Sequence, residues 1–135
     1  VGRGPLAGPV VACAVIMPPA ARAIAGVNDS KVLTAAERVR LAVLIRERAV
    51  AIALGAASVR EIERLNIYHA RALAMQRALM RLRIRPDHIL IDGRLIRRFP
   101  MPHTAVVDGD AKCFSIACAS IVGDVPSTWK LSSAP

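Results

Sequence analysis

Aromatic side chains are nearly missing from this chain: one Trp, one Tyr and two Phe occur among 135 residues. A ring-filled core is therefore excluded, and any interior must be built from Ala, Val, Leu and Ile. Those are plentiful, since hydrophobic residues make up 54% of the sequence, so disorder is expected only at the ends. Lysine is scarce as well, because sixteen of the 19 basic residues are Arg. Acidic residues number only 10, leaving a formal charge of +9. Excess positive charge favours polyanions, nucleic acid first, although an Ala- and Arg-rich composition gives the same sum without any such partner.

Cysteine is limited to Cys13, Cys113 and Cys118. The odd count and the lack of a C-x-x-C pair argue against a disulfide framework or a zinc site, and for reduced thiols in a cytoplasmic protein. Each lies in an apolar run, where an inert, buried Cys is expected. No hydrophobic stretch is long enough to span a membrane. Leu6 to Met17, preceded by Arg3, resembles a secretory signal only superficially, because Pro5, Gly8 and Pro9 interrupt it. Nucleophile-elbow, Walker and dinucleotide-binding motifs are all absent. The length suits one domain or a large part of one. The first residue is Val, so the chain is expected to begin inside a longer protein.

What is present alternates between strand and helix patterns. Val10 to Met17 reads as a central strand covered on both faces, stopped by Pro18 and Pro19. A polar loop with Gly26, Asn28, Asp29 and Ser30 follows. Thr34 and Glu37 form a capping box for a helix to about Val50, with Leu41, Leu44, Ile45 and Ala49 on one face. Residues 51–57 suit a second strand, although Ala fits a helix equally. Ser58 and Glu61 repeat the capping pattern for a short helix to Leu65. Asn66 caps another to about Leu82, with Ile67, Ala70, Ala74 and Ala78 on one face. Ile89 to Asp92 reads as a buried strand, Thr104 to Val107 as a short one, and Ala111 to Val122 as one helix. The alternation predicts a layered α/β fold. Pro126 to Pro135 is rich in Ser and Pro and is expected to fray.

Asp92 is the sharpest chemical candidate. A carboxylate ending an apolar strand, followed by Gly93, is rigidly held and approachable, as metal ligands are; a turn-forming Asp has the same pattern. Gly2-Arg3-Gly4 suits close approach to a phosphate or sugar, but most such triplets are ordinary turns. Asn28, Ser30 and Lys31 form either a phosphate-binding or a plain polar loop. Lys112 and Ser115 lie near a predicted helix N-terminus, which attracts phosphate, with Asp110 as the expected cap. His69, His88 and His103 lack metal-ligand spacing and are expected to be structural or exposed.

Order and spacing decide between these alternatives. Val1-Gly2-Arg3-Gly4-Pro5-Leu6-Ala7-Gly8-Pro9-Val10-Val11 resembles the N-terminal motif of ribonuclease HII. So do Gly26-Val27-Asn28-Asp29-Ser30-Lys31, Glu63-Arg64-Leu65-Asn66-Ile67, Ile89-Leu90-Ile91-Asp92-Gly93, Gly109-Asp110-Ala111-Lys112, and Ser115-Ile116-Ala117-Cys118-Ala119-Ser120-Ile121. Each is loose alone; together, in the family's order, they are specific. The resemblance implies a ribonuclease H-like α/β fold, a mixed sheet flanked by helices. It implies an endonuclease acting on the RNA strand of RNA–DNA hybrids and 5′ of ribonucleotides in duplex DNA, monomeric and with no membrane partner. It also implies two Mn²⁺ or Mg²⁺ ions at the phosphodiester. By resemblance Asp92 is a catalytic metal ligand. Gly2, Arg3 and Gly4 would read the ribose 2′-hydroxyl. Asn28, Ser30, Lys31, Lys112 and Ser115 would lie near the nucleic-acid backbone.

The chain also departs from the family pattern. The family's first two carboxylates, an Asp-Glu pair, directly precede the Val that is residue 1 here. Thr128 stands where its fourth is expected, and Gly123-Asp124 replaces an Ala-Lys pair, making Asp124 a weak substitute ligand. Asp108 occupies a position often held by Lys. Agreement stops after Val122, so the expectation is an incomplete domain over 1–122, lacking the family's C-terminal portion, and a divergent tail over 123–135. A gene fragment with a frameshift near codon 123 would produce this pattern. Against the active enzyme stand a non-catalytic hybrid-binding remnant and an inactive fragment.

Overall fold

The computed structural model describes residues 2–3, 8–18, 24–27 and 32–124. The strands are β1 (Gly2–Arg3), β2 (Val10–Ile16), β3 (Ala51–Ala57), β4 (Leu90–Asp92) and β5 (Thr104–Val106). The helices are α1 (Ala35–Arg48), α2 (Val59–Arg81), α3 (Gly109–Lys112) and α4 (Phe114–Gly123). An antiparallel sheet runs in the order β1-β2-β3, and β4 pairs with β5 in parallel. Both strand senses and flanking helices are thus present, as expected of a mixed α/β fold.

β2 is covered on both faces, which explains its continuous apolar sequence. Successive strand side chains point to opposite sides. Val10 and Ala12, with Ala57 of β3, pack against Ala70, Ala74 and Ala78 of α2. Cys13 and Val15, with Ile52, pack against the cluster of Leu41, Ala42, Ile45, Cys118, Ile121 and Val122 from α1 and α4. The result is three layers around the β2–β3 pair. Small residues set the spacing on the α2 side. A Cβ on Gly55 would come within 2.3 Å of the Ala74 carbonyl oxygen and the Ala78 nitrogen. With no room for even a methyl group, α2 lies almost against the β3 backbone.

Local signals place the helix starts. Thr34 and Ser58 form complete capping boxes with Glu37 and Glu61. Asn66 interrupts α2 with φ 69 and ψ 168, and its Oδ1 accepts the His69 N–H at 3.2 Å. It therefore caps the second segment as predicted. Ile67 was expected on the buried face but is 40% exposed; it stands in the first turn after the break at Asn66, ahead of the buried Ala70–Ala74–Ala78 stripe.

Several expectations need correction. β4 is not a wholly buried strand: Ile91 is buried, but Leu90 is 38% exposed. The single helix expected over 111–122 is two, parted at Cys113, whose φ −125 and ψ 121 are extended. α3 touches β4, while α4 packs mainly on β2 and α1 and also reaches β4. Asp110 is not the cap; the helix begins earlier because Asp108 turns left-handed (φ 55), and Asp110 sits inside α3, 7% exposed. Gly2 and Arg3 pair as a strand with Val11 and Val10 instead of forming a turn. α4 runs through Gly123, with Asp124 at its C-cap. Residues 125–135, including Thr128, lie outside the described residues, as do Gly4, Asn28, Ser30 and Lys31.

Candidate active site

Asp92 ends β4, and β4 is held to β5 through Val106. Gly93 follows with φ 109 and donates its N–H to the Val106 carbonyl oxygen at 2.9 Å. That conformation favours glycine and turns the chain away directly beyond the carboxylate. Asp92 Oδ1 accepts the Gly109 N–H at 2.8 Å. One oxygen is therefore fixed by backbone at the start of α3.

Gly109 also stands in a confined place. A Cβ there would lie 2.7 Å from Ile116 Cδ1 and 3.3 Å from Asp92 Oδ1. The sequence offered Gly109 only as part of a motif, with nothing to mark this anchoring role.

Asp92 lines a cavity between β2 and β4, bounded by Cys13 to Ile16 on one side and Ile89 to Ile91 on the other, with Ser115 and Ile116 of α4. Asp92 and Ser115, predicted as site residues separately, thus meet in one cavity. Lys112 is exposed at the end of α3 and does not line it. Ser115 lies in the first turn of α4, its Oγ 3.4 Å from Cys113 Sγ. Burial pushes the Cys113 thiol up, but the Ser115 hydroxyl and the N–H groups of Ile116 and Ser115 outweigh it and hold the thiol below its usual range. Cys118, deeper in α4, is pushed up to about 12 by burial, with Cys113 adding to the shift.

The histidines have structural partners. His88 Nε2 lies 2.9 Å from Thr104 Oγ1, joining the segment that leads into β4 to the start of β5. His103 Nε2 accepts the Ile96 N–H at 3.0 Å, so its Nδ1 carries the proton directed at the Met101 carbonyl oxygen, 3.0 Å away. Among the described residues, no group of three or more His, Cys, Asp or Glu side chains is arranged to hold a metal ion. Nor is any helix there long and apolar enough to cross a membrane.

The family model described as Ribonuclease HII matches residues 1–132. The Ribonuclease HII of Azoarcus sp. (strain BH72) is 57% identical over 121 residues, covering 90% of this chain and 59% of that protein. Ribonuclease HII 1 of Methylibium petroleiphilum is 55% identical over 124 residues, covering 92% and 62%. The chain therefore spans about three fifths of the length of these curated relatives. The crystal structure of the ribonuclease H2 from Pyrococcus horikoshii OT3 superposes with a TM-score of 0.77 at 25% identity, over 98% of this chain and 71% of that one.

Proposed function

The chain belongs to the ribonuclease HII family, and from that premise we propose that it serves phosphodiester hydrolysis in RNA–DNA hybrids and 5′ of ribonucleotides in duplex DNA. The observation that carries this reading is the placement of Asp92. Its carboxylate is pinned by the Gly109 N–H at a strand end and faces a cavity shared with Ser115. A carboxylate held this way keeps its second oxygen for a ligand and loses little freedom on binding one. In the same proposal, Gly2, Arg3 and Gly4 read the ribose 2′-hydroxyl, while Asn28, Ser30, Lys31, Lys112 and Ser115 lie along the nucleic-acid backbone.

Two divalent ions, Mn²⁺ or Mg²⁺, are what family chemistry would add, clamping the scissile phosphate between them. The described residues do not fit such a pair by themselves. A carboxylate offers one or two oxygens to an ion wanting about six ligands, and among the described residues Asp92 has no companion cluster. The β1–β2 register bears on where companions would stand. Gly2 faces Val11 and Arg3 faces Val10, so a strand continuing ahead of Val1 would run beside Cys13 and Ala14. Both line the cavity of Asp92, and the Asp-Glu pair implied by the resemblance would fall there.

Incubation of the purified chain with a duplex containing one ribonucleotide, with Mn²⁺ or Mg²⁺, tests the proposal. Cleavage on the 5′ side of the ribonucleotide, lost on Asp92→Asn, is the expected result. Binding without cleavage would instead identify a hybrid-binding remnant. The absence of both binding and cleavage would overturn the proposal.

A further inference from the structure

A second cleft, of about 560 Å³, opens between the second segment of α2 and the loop that leaves Asp92. Its volume lies in the roughly 300–1,000 Å³ range typical of ligand clefts. Tyr68, His69 and Gln76 of α2 form one wall; Arg97, Arg98 and Phe99 of the loop form the other. Among the described residues, no acidic side chain lines it. Arg94, Arg97 and Arg98 are all exposed, so the loop carries concentrated positive charge. Tyr68 is 46% exposed, and sets its ring edge-to-face against His69, centroids 5.2 Å apart. Phe99 stacks the same way on His103, also at 5.2 Å.

The loop is also braced. The Arg97 N–H donates to Tyr68 Oη at 3.2 Å, closing the cleft from wall to wall. The Ile96 N–H donates to His103 Nε2, and Arg98 takes the left-handed backbone with φ 58. A strained residue held by surrounding bonds is a mark of a functional segment. Arginine beside accessible aromatic faces is the chemistry that grips unpaired nucleotides: bases stack on the rings and guanidiniums hold the phosphates. In a chain so poor in aromatics, one cleft holds its sole Tyr and one of its two Phe.

We infer that this cleft binds an unpaired nucleotide of single-stranded DNA, its base stacked on Tyr68 or Phe99 and its phosphates on Arg97 and Arg98. The inference goes beyond the proposed hydrolysis and does not depend on Asp92.

Fluorescence anisotropy of the full chain in EDTA, with labelled twelve-nucleotide oligothymidylate and an abasic oligomer of equal charge, tests it. The thymidylate should bind about tenfold or more tightly than the abasic strand. Tyr68→Leu or Phe99→Leu, each checked for folding by circular dichroism, should shrink that difference. Tyr emission in a Trp129→Phe background, quenched by thymidylate but not by the abasic strand, would report stacking at Tyr68 directly. Equal affinity for the two strands shows polyanion attraction only and overturns the inference. So does no binding, or a difference unaltered in both folded Leu variants.

Discussion

The Gly109 N–H donates to Asp92 Oδ1 at 2.8 Å, joining the first turn of α3 to the end of β4. One bond thus orients the carboxylate on which the proposed chemistry depends, and Asn at the same position keeps an oxygen acceptor for it. Asp92→Asn should leave the thermal melt nearly unchanged. Where cleavage of a ribonucleotide-containing duplex is measurable, it should fall by at least about 100-fold, the upper range for losing even an outer partner of a metal ligand. Retained cleavage in this variant would remove Asp92 from the site.

Gly55 should tolerate nothing larger. Its missing Cβ is replaced by the backbone of α2, 2.3 Å from where that atom would stand. The obstacle is peptide backbone, which cannot rotate away as a side chain tip can. Gly55→Ala should cost about 3 kcal/mol or more, as severe overpacking does, read as a lowered urea midpoint. At Gly109 the nearest atom is the end of the Ile116 side chain, so Gly109→Ala should cost less.

Glu61 holds α2 to β3 through Arg77. The guanidinium donates to both Glu61 oxygens, at 2.8 and 2.7 Å, and to the Ala56 carbonyl oxygen at 2.8 Å. The Arg77 hydrogen bonds, followed by the Ser58 N–H, lower the Glu61 carboxyl from 4.5 to about 2. Because the folded value is depressed, its contribution to stability is present above pH 4.5 and is lost as pH falls toward 2. Urea midpoints measured across that window should decline more for the wild type than for Glu61→Gln. Arg77 is 39% exposed, so salt should shrink the difference.

The thiols should react in a fixed order. Cys113 is held below its usual range at the start of α4, whereas Cys118 is buried and raised to about 12. Thiolate is the nucleophile, so limiting iodoacetamide at neutral pH should label Cys113 well before Cys118. Peptide mapping by mass spectrometry reads the order, and early labelling at Cys118 in folded protein would contradict it.

The sequence by itself determined the strand-and-helix alternation, the capping boxes at Thr34 and Ser58, the cap at Asn66 and the strand-end position of Asp92. Each is a local matter: a cap needs a side chain and an N–H three residues apart, and a strand covered on both faces needs only a continuous apolar run. Tertiary structure alone decided what Asp92 and Gly109 do together, because their bond spans 17 residues and no periodicity encodes it. It also broke the helix at Cys113, whose backbone is extended although neither Gly nor Pro marks a stop there. The meeting of Tyr68 with Arg97 was hidden for the same reason: side-chain spacing reports one face of one element, while a cleft is made by two elements that the fold alone brings together.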